Sequence, residues 1–151
     1  MNWVERNAAR ESNIVGRAPE IWQEVLTAIE DACNSFEGAH DEPTIQRSTE
    51  NGHAMVVRAT FPQLTPGIPR AHSVRIVFDE RRCVIISTLD DKTPLKFHID
   101  ADETKCFLTY QDEKIDADRL SELVLSDVFL KEPTLTKPRT IAPRRRSWAK
   151  S

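Results

Sequence analysis

The hydrophobic pattern of this chain changes from a helical period to a strand-like period about a third of the way along. In the first part, apolar residues recur every three or four positions and so mark one side of a helix: Trp22, Val25, Leu26, Ile29, Cys33 and Phe36. This spacing predicts a long amphipathic helix over Pro19–Glu37, with Gly38 as its C-terminal stop. Residues 3–17 could extend this helix, since Trp3, Val4 and Ala8 would continue the stripe, but Gly16 and Pro19 indicate a break before it. The polar residues 39–51 are expected to form a loop.

After residue 52, apolar and polar residues alternate in a way that is typical of half-buried β-strands. Five such segments are predicted: His53–Phe61, His72–Phe78, Cys83–Leu89, Leu95–Ile99 and Lys105–Gln111. No helical crossover fits between them, so the pattern indicates an antiparallel meander. Cys83–Leu89 is apolar on both faces, which predicts a central strand that is covered on both sides.

A second, shorter helix is predicted over residues 117–131, where Asp116 or Asp118 could cap it and Pro133 follows its end. Its apolar stripe is expected to consist of Leu120, Leu123, Val124, Val128 and Leu130. The predicted fold class is therefore α+β. A long N-terminal helix packs on a five-stranded antiparallel meander, followed by a short C-terminal helix and a disordered basic tail. Residues 1–136 are predicted to form a single domain and residues 137–151 a flexible basic tail.

The net charge of −3 conceals an asymmetry between these two parts. Six of the 21 basic residues, and none of the 24 acidic ones, lie after residue 136. Residues 1–136 therefore carry 15 basic and 24 acidic side chains, a balance of −9. An acidic body does not attract polyanions from a distance, so only a local surface could bind an anion.

Such a surface is predicted on the sheet, on the face opposite the apolar positions that contact the long helix. Strand alternation directs five cationic or titratable side chains to that face: Arg58, Arg75, Lys96, His98 and Lys105. They are a candidate site for an anionic ligand. The alternative is an ordinary solvated face, where Lys and Arg stems cover apolar surface.

The same face carries Val56, Val77 and Phe107, which require cover. Either helix 117–131 covers them, or a second copy does, as in a homodimer. A further candidate for recognition is the stiff, proline-rich loop 62–70, which could equally be a packed cover for a sheet edge.

The basic tail could contact nucleic acid or an acidic partner through Arg144, Arg145 and Arg146, beside Trp148. The alternative is a solvated run of arginines, which is common at chain termini.

Catalytic and metal-binding patterns are not found in the sequence. The four histidines lack metal-ligand spacing, and His53 and His72, at strand beginnings, are expected to face solvent. Cys83 or Cys106 could pair with His98 across neighbouring strands, although a buried structural thiol is the favoured interpretation of either cysteine. We expect no cofactor and no metal, and the sequence favours a non-enzymatic function.

The expected location is cytoplasmic, without membrane attachment. The three cysteines show no C-x-x-C spacing, and no apolar run approaches the ~20 residues that cross a bilayer. The N-terminal residues also lack the apolar stretch of a secretory signal.

These patterns favour a binding or interaction protein, such as a homodimer, that uses its sheet face or the loop 62–70. Its partner would be an unidentified protein or an anionic ligand. The alternative is a nucleic-acid-associated accessory protein that uses the cationic sheet face together with the basic tail. Salt-dependent retention on nucleic acid distinguishes the two.

Overall fold

A computed structural model describes residues 2–63, 66–67 and 70–130. The fold consists of two helices and a seven-stranded antiparallel sheet, in which every strand pairs with its neighbours in the sequence. The elements are α1 (Trp3–Ala39), β1 (Thr44–Glu50), β2 (Ala54–Phe61), β3 (Arg70–Asp79), β4 (Val84–Leu89), β5 (Leu95–Ala101), β6 (Cys106–Tyr110), β7 (Glu113–Ile115) and α2 (Ala117–Leu130). The predicted α+β class is confirmed, with seven strands in place of five.

Helix α1 is twice as long as the sequence pattern indicates, because it begins at Trp3 rather than at Pro19. The Asn2 side chain accepts a hydrogen bond from the Glu5 amide in a capping box, and the helix continues through Gly16 and Pro19. Its N-terminal half contacts the end of β5, through Arg10 and Asp100, and the following turn, where Asn13 donates to the Asp102 carbonyl. At 1.5 Å per residue, α1 is about 55 Å long.

Strands β1 and β7 are absent from the pattern-based prediction. In β1 only Ile45 is buried, and Arg47 takes an inward position that an apolar residue would normally occupy. Strand β7 has three residues, too few to show a period. Both lie at the edges of the sheet, where a polar strand pairs on one side only.

Both helices pack on the same face of the sheet, here called the inner face, and the opposite face is called the outer face. One hydrophobic core joins α1, α2 and the inward positions of the strands. The two helices also contact each other, with the rings of Phe36 and Phe129 4.7 Å apart. In α2, Leu130 is 71% exposed, and Leu125 and Phe129 contribute to the core in its place.

Neither described helix combines the length and the apolarity needed to cross a bilayer.

Candidate binding surface

The outer face carries the cations that strand alternation places there. Arg58 lies on β2, Arg75 on β3, and Lys96 and His98 on β5, and all four side chains are exposed. Each has the opposite parity to the buried inner-face residues of its own strand. No bulge interrupts the pairing from β2 to β5, so these residues share one face.

An apolar strip runs between these cations across the middle strands. The register aligns Ala54, Val77 and Ile86 in one row that ends at Lys96. Val56 and Val84 flank this row on either side. Val77, Ile86 and Val56 are half-buried, whereas Ala54 and Val84 are 5% exposed. We call these five residues the outer strip.

The expectation that α2 covers these residues is wrong. Leu120, Val124 and Val128 of α2 belong to the inner core together with α1. Within the described ranges, neither helix lies over the outer strip. The central strand β4 is thus apolar on both faces, but a structural element covers only one of them.

The cations frame the outer strip and do not converge on a point. Arg58 and Lys96 lie three strands apart across the sheet, about 14 Å, and four residues apart along the strands, about 13 Å, so they are about 20 Å apart. Arg75 is paired with Glu50, with its Nη2 atom 2.8 Å from Oε1. Among the residues that the structure describes, Arg58, Lys96 and His98 form no ion pair. The arrangement suits an extended acidic segment better than a small anion.

Lys105 lies at the side of this surface, in the turn between β5 and β6. The backbone amides of Lys105 and Thr104 donate to Asp102 Oδ1 at 2.9 and 2.8 Å. These hydrogen bonds lower the pKa of Asp102 to about 2, so the carboxylate is charged at neutral pH. The turn that carries Lys105 therefore also holds a carboxylate charge, and the cation that interacts with this carboxylate is Lys114.

Lys114 is an outer-face cation that the sequence pattern did not identify. It lies on β7 opposite Thr109, and its Nζ atom is 4.2 Å from the centroid of the Phe107 ring. The feature of the sequence that could have indicated Lys114 was Phe107, an aromatic residue at an outward position of β6, beside the short strand β7. Because Lys114 occupies the ring face, Phe107 is not free to stack on a ligand.

The hypothetical pairing of a cysteine with His98 does not form. Cys83 packs against the inner core and Cys106 contacts the Asn13 carbonyl of α1 at 3.0 Å, whereas His98 lies on the outer face. Burial raises the pKa of both thiols. Cys33 is fully buried, and burial raises its pKa to about 11. These positions are those of structural thiols rather than nucleophiles.

His72 is buried, and its expected solvent-facing position is wrong. Strand β3 begins at Arg70, so His72 is an inner-face position and retains 8% exposure. Its Nδ1 atom lies 2.8 Å from Asp90 Oδ2, and Asp90 Oδ1 accepts the Ser73 amide at 3.0 Å. The pair fastens the turn after β4 to β3, which is a structural role.

Parts of two other candidates lie outside the described residues. In the loop 62–70, residues 64, 65, 68 and 69 are not described, and the basic tail with Arg144, Arg145 and Arg146 lies wholly beyond residue 130. In the part that is described, no group of three His, Cys, Asp or Glu side chains could hold a metal ion. No protein-family model, curated protein or solved structure matches this chain.

Proposed function

We propose that this chain is a non-enzymatic protein-binding module whose outer sheet face receives an acidic segment of a partner. The observation that carries the proposal is the placement of both helices on the inner face, which leaves the apolar outer strip between cations. Apolar surface bordered by charge is typical of protein interfaces. An extended acidic segment with alternating apolar side chains would cover the outer strip and reach both Arg58 and Lys96 along a diagonal of the sheet.

Charge favours an acidic partner over a second copy of the chain. In a symmetric dimer formed through the outer face, each cationic face would meet another of the same sign. The face carries Arg58, Arg75, Lys96, His98 and Lys114, against Glu50, Asp79 and Asp100, each of which is already paired with an arginine. Like charges across an interface oppose association, so the homodimer is the weaker of the two hypotheses.

Nucleic acid is disfavoured as the occupant of this face. Proteins that bind single strands on an open sheet stack bases on exposed aromatic rings. The described outer face offers Phe107, whose ring is covered by Lys114. We also propose a cytoplasmic location, which is supported by the three free thiols.

The test uses the full chain labelled with ¹⁵N and a synthetic peptide of alternating Glu and Val. Titration should shift the amide resonances of Val56, Val77 and Ile86. The double variant R58E/K96E should weaken binding at least about tenfold, which is the loss expected for two charge reversals at an interface. The matched control R17E/R119E reverses two exposed charges on the helices and should bind like the parent chain.

Two results would overturn the proposal. One is tighter binding of a single-stranded oligonucleotide than of the peptide. The other is a stable dimer in sedimentation that V77D dissociates, because it would place a second copy on the strip.

A further inference from the structure

The two helices enclose a second surface, on a different side of the molecule from the outer strip. Two neighbouring cavities lie along the contact between α1 and α2 and are lined by residues of these helices and by His40; together we call them the α1–α2 groove. One end has a volume of about 420 Å³ and is apolar, lined by Phe36, Ala39, Leu125, Phe129 and Leu130 among others. The adjoining end, one to two helical turns nearer the start of α2, has a volume of about 370 Å³.

The second end of the groove is acidic. Glu24 and Asp31 of α1 and Asp118 of α2 line it, whereas Glu122 lines the apolar end. No lysine or arginine is among the described residues that line either end. Asp118 also lies in the first turn of α2, where the helix dipole stabilises its negative charge. The groove therefore fits a polypeptide segment that carries apolar side chains first and basic side chains after them.

The chain itself contains a segment of that composition, and it begins at the groove. Helix α2 ends at Leu130, which lines the apolar end and is 71% exposed. The 21 residues that follow carry seven basic residues against one acidic residue, and their densest basic run, Arg144–Arg146, comes after the apolar Leu135 and Ile141. The arginine triplet follows Leu135 and Ile141 along the sequence, just as the acidic end of the groove follows the apolar end with distance from Leu130.

The segment is also long enough to span the groove. Asp118 and Leu130 are 12 residues apart on α2, which corresponds to about 18 Å along the helix axis. An extended chain covers that distance in about six residues, and the arginine triplet begins 14 residues after Leu130. Because the segment is attached at the groove, its effective concentration there is about millimolar or higher, so modest contacts suffice.

We propose that residues 131–151 dock in the α1–α2 groove, with Leu135 and Ile141 at the apolar end and Arg144–Arg146 at the acidic end. The docked segment offsets the acidic character of the body, whose balance over residues 1–136 is −9. This inference does not depend on the proposed binding of an acidic partner at the outer strip.

The experiment follows Trp148 by ¹⁹F NMR in the full chain labelled with 5-fluorotryptophan. The chain has three tryptophans, so replacement of each by Phe assigns the resonances of Trp3, Trp22 and Trp148. The Trp148 resonance should differ from that of a synthetic peptide of residues 131–151. In D31K/D118K it should move to the peptide position, because repulsion replaces attraction at the acidic end.

Two controls keep the outcome interpretable. E11K/D91K makes the same change in net charge at exposed positions away from the groove and should leave Trp148 unaffected. Trp22 is 2% exposed, so an unchanged Trp22 resonance shows that each variant is folded. R144E/R145E/R146E, which alters the segment instead of the body, should also move Trp148 to the peptide position.

The proposal is overturned if Trp148 of the full chain already resonates at the peptide position, or if D31K/D118K leaves it in place. A shift that appears only at high protein concentration would also overturn it, since that result means docking between copies.

Discussion

Arg47 should contribute more to stability than the exposed arginines of the same sheet, because it links the edge strand β1 to helix α1. Its guanidinium donates to Glu37 Oε1 at 2.9 Å and to Asn34 Oδ1 at 2.6 Å, and it also contacts Glu30. The hydrogen bond with Glu37 raises the pKa of Arg47. The Arg47 side chain is 23% exposed, whereas Glu30 and Glu37 are 45% and 41% exposed.

The variant R47M keeps most of the aliphatic stem and removes all three polar contacts. Since both carboxylates are more than a third exposed, solvent screening reduces each ion pair to about 0.5–1 kcal/mol, and the Asn34 hydrogen bond adds about 0.5–1 kcal/mol. The expected loss is about 2 kcal/mol. With a urea slope of about 1.5 kcal/mol per molar, the unfolding midpoint should fall by about 1.3 M.

Arg75 provides the matched control on the outer face. It contacts Glu50 at 2.8 Å, but the two side chains are 58% and 47% exposed. R75M should therefore cost about 0.5 kcal/mol or less, a midpoint shift of about 0.3 M. Equal shifts for the two variants would refute the reasoning, because they would mean that the Arg47 contacts are screened as completely as a surface pair.

Three further predictions concern groups whose environment the structure defines. The ¹³C carboxyl resonance of Asp102 should titrate with a midpoint near 2. The pKa of Asp102 in the folded protein lies below the unfolded value of about 3.9. The Asp102 carboxylate therefore stabilises the folded protein fully above about pH 3.9, and this stabilisation is lost as the pH falls through the folded pKa. A midpoint near 3.9 would contradict the hydrogen bonds to Thr104 and Lys105. Cys33, with a pKa of about 11 and no exposed surface, should react with a thiol reagent at pH 8 only as fast as the protein unfolds, as judged by mass spectrometry. Labelling of Cys33 at the rate of a free thiol would show that the core opens there. Trp22 donates from Nε1 to the Gly52 carbonyl at 2.7 Å, so W22F should cost about 1–3 kcal/mol in thermal denaturation, and an unchanged midpoint would argue against that contact.

The parts of the fold that follow from the sequence are those in which one face is buried and the other is solvated. Strand β2 illustrates this, because Met55 and Val57 alternate with Val56 and Arg58. Strand β1 could not be recognised, since its inward Arg47 interrupts the alternation and its partners lie on a helix. The sequence offered the N-terminal half of α1 only as the alternative to a break at Gly16 and Pro19, for a related reason. It is held by Asp100 and its neighbours, about 90 residues away in the sequence.

The residues of the candidate surface could be predicted from the sequence, but whether a helix packs over that surface could not. Strand alternation alone assigns Arg58, Arg75, Lys96 and His98 to one face. It does not determine which face α2 occupies, because both faces of β4 are apolar. Only the packing of Val124 and Val128 beside α1 shows that the outer face is left open.

The order of the strands has a consequence for how the chain assembles. Because each strand pairs with the next one in the sequence, the sheet can grow by adding one hairpin at a time, without waiting for distant segments to meet. The contacts of Arg10 and Asn13 with the β5–β6 turn are different, since they join positions about 90 residues apart. In pulse-labelling hydrogen exchange, the amides at the start of α1 should therefore gain protection last, after the amides of the meander that this part of α1 contacts.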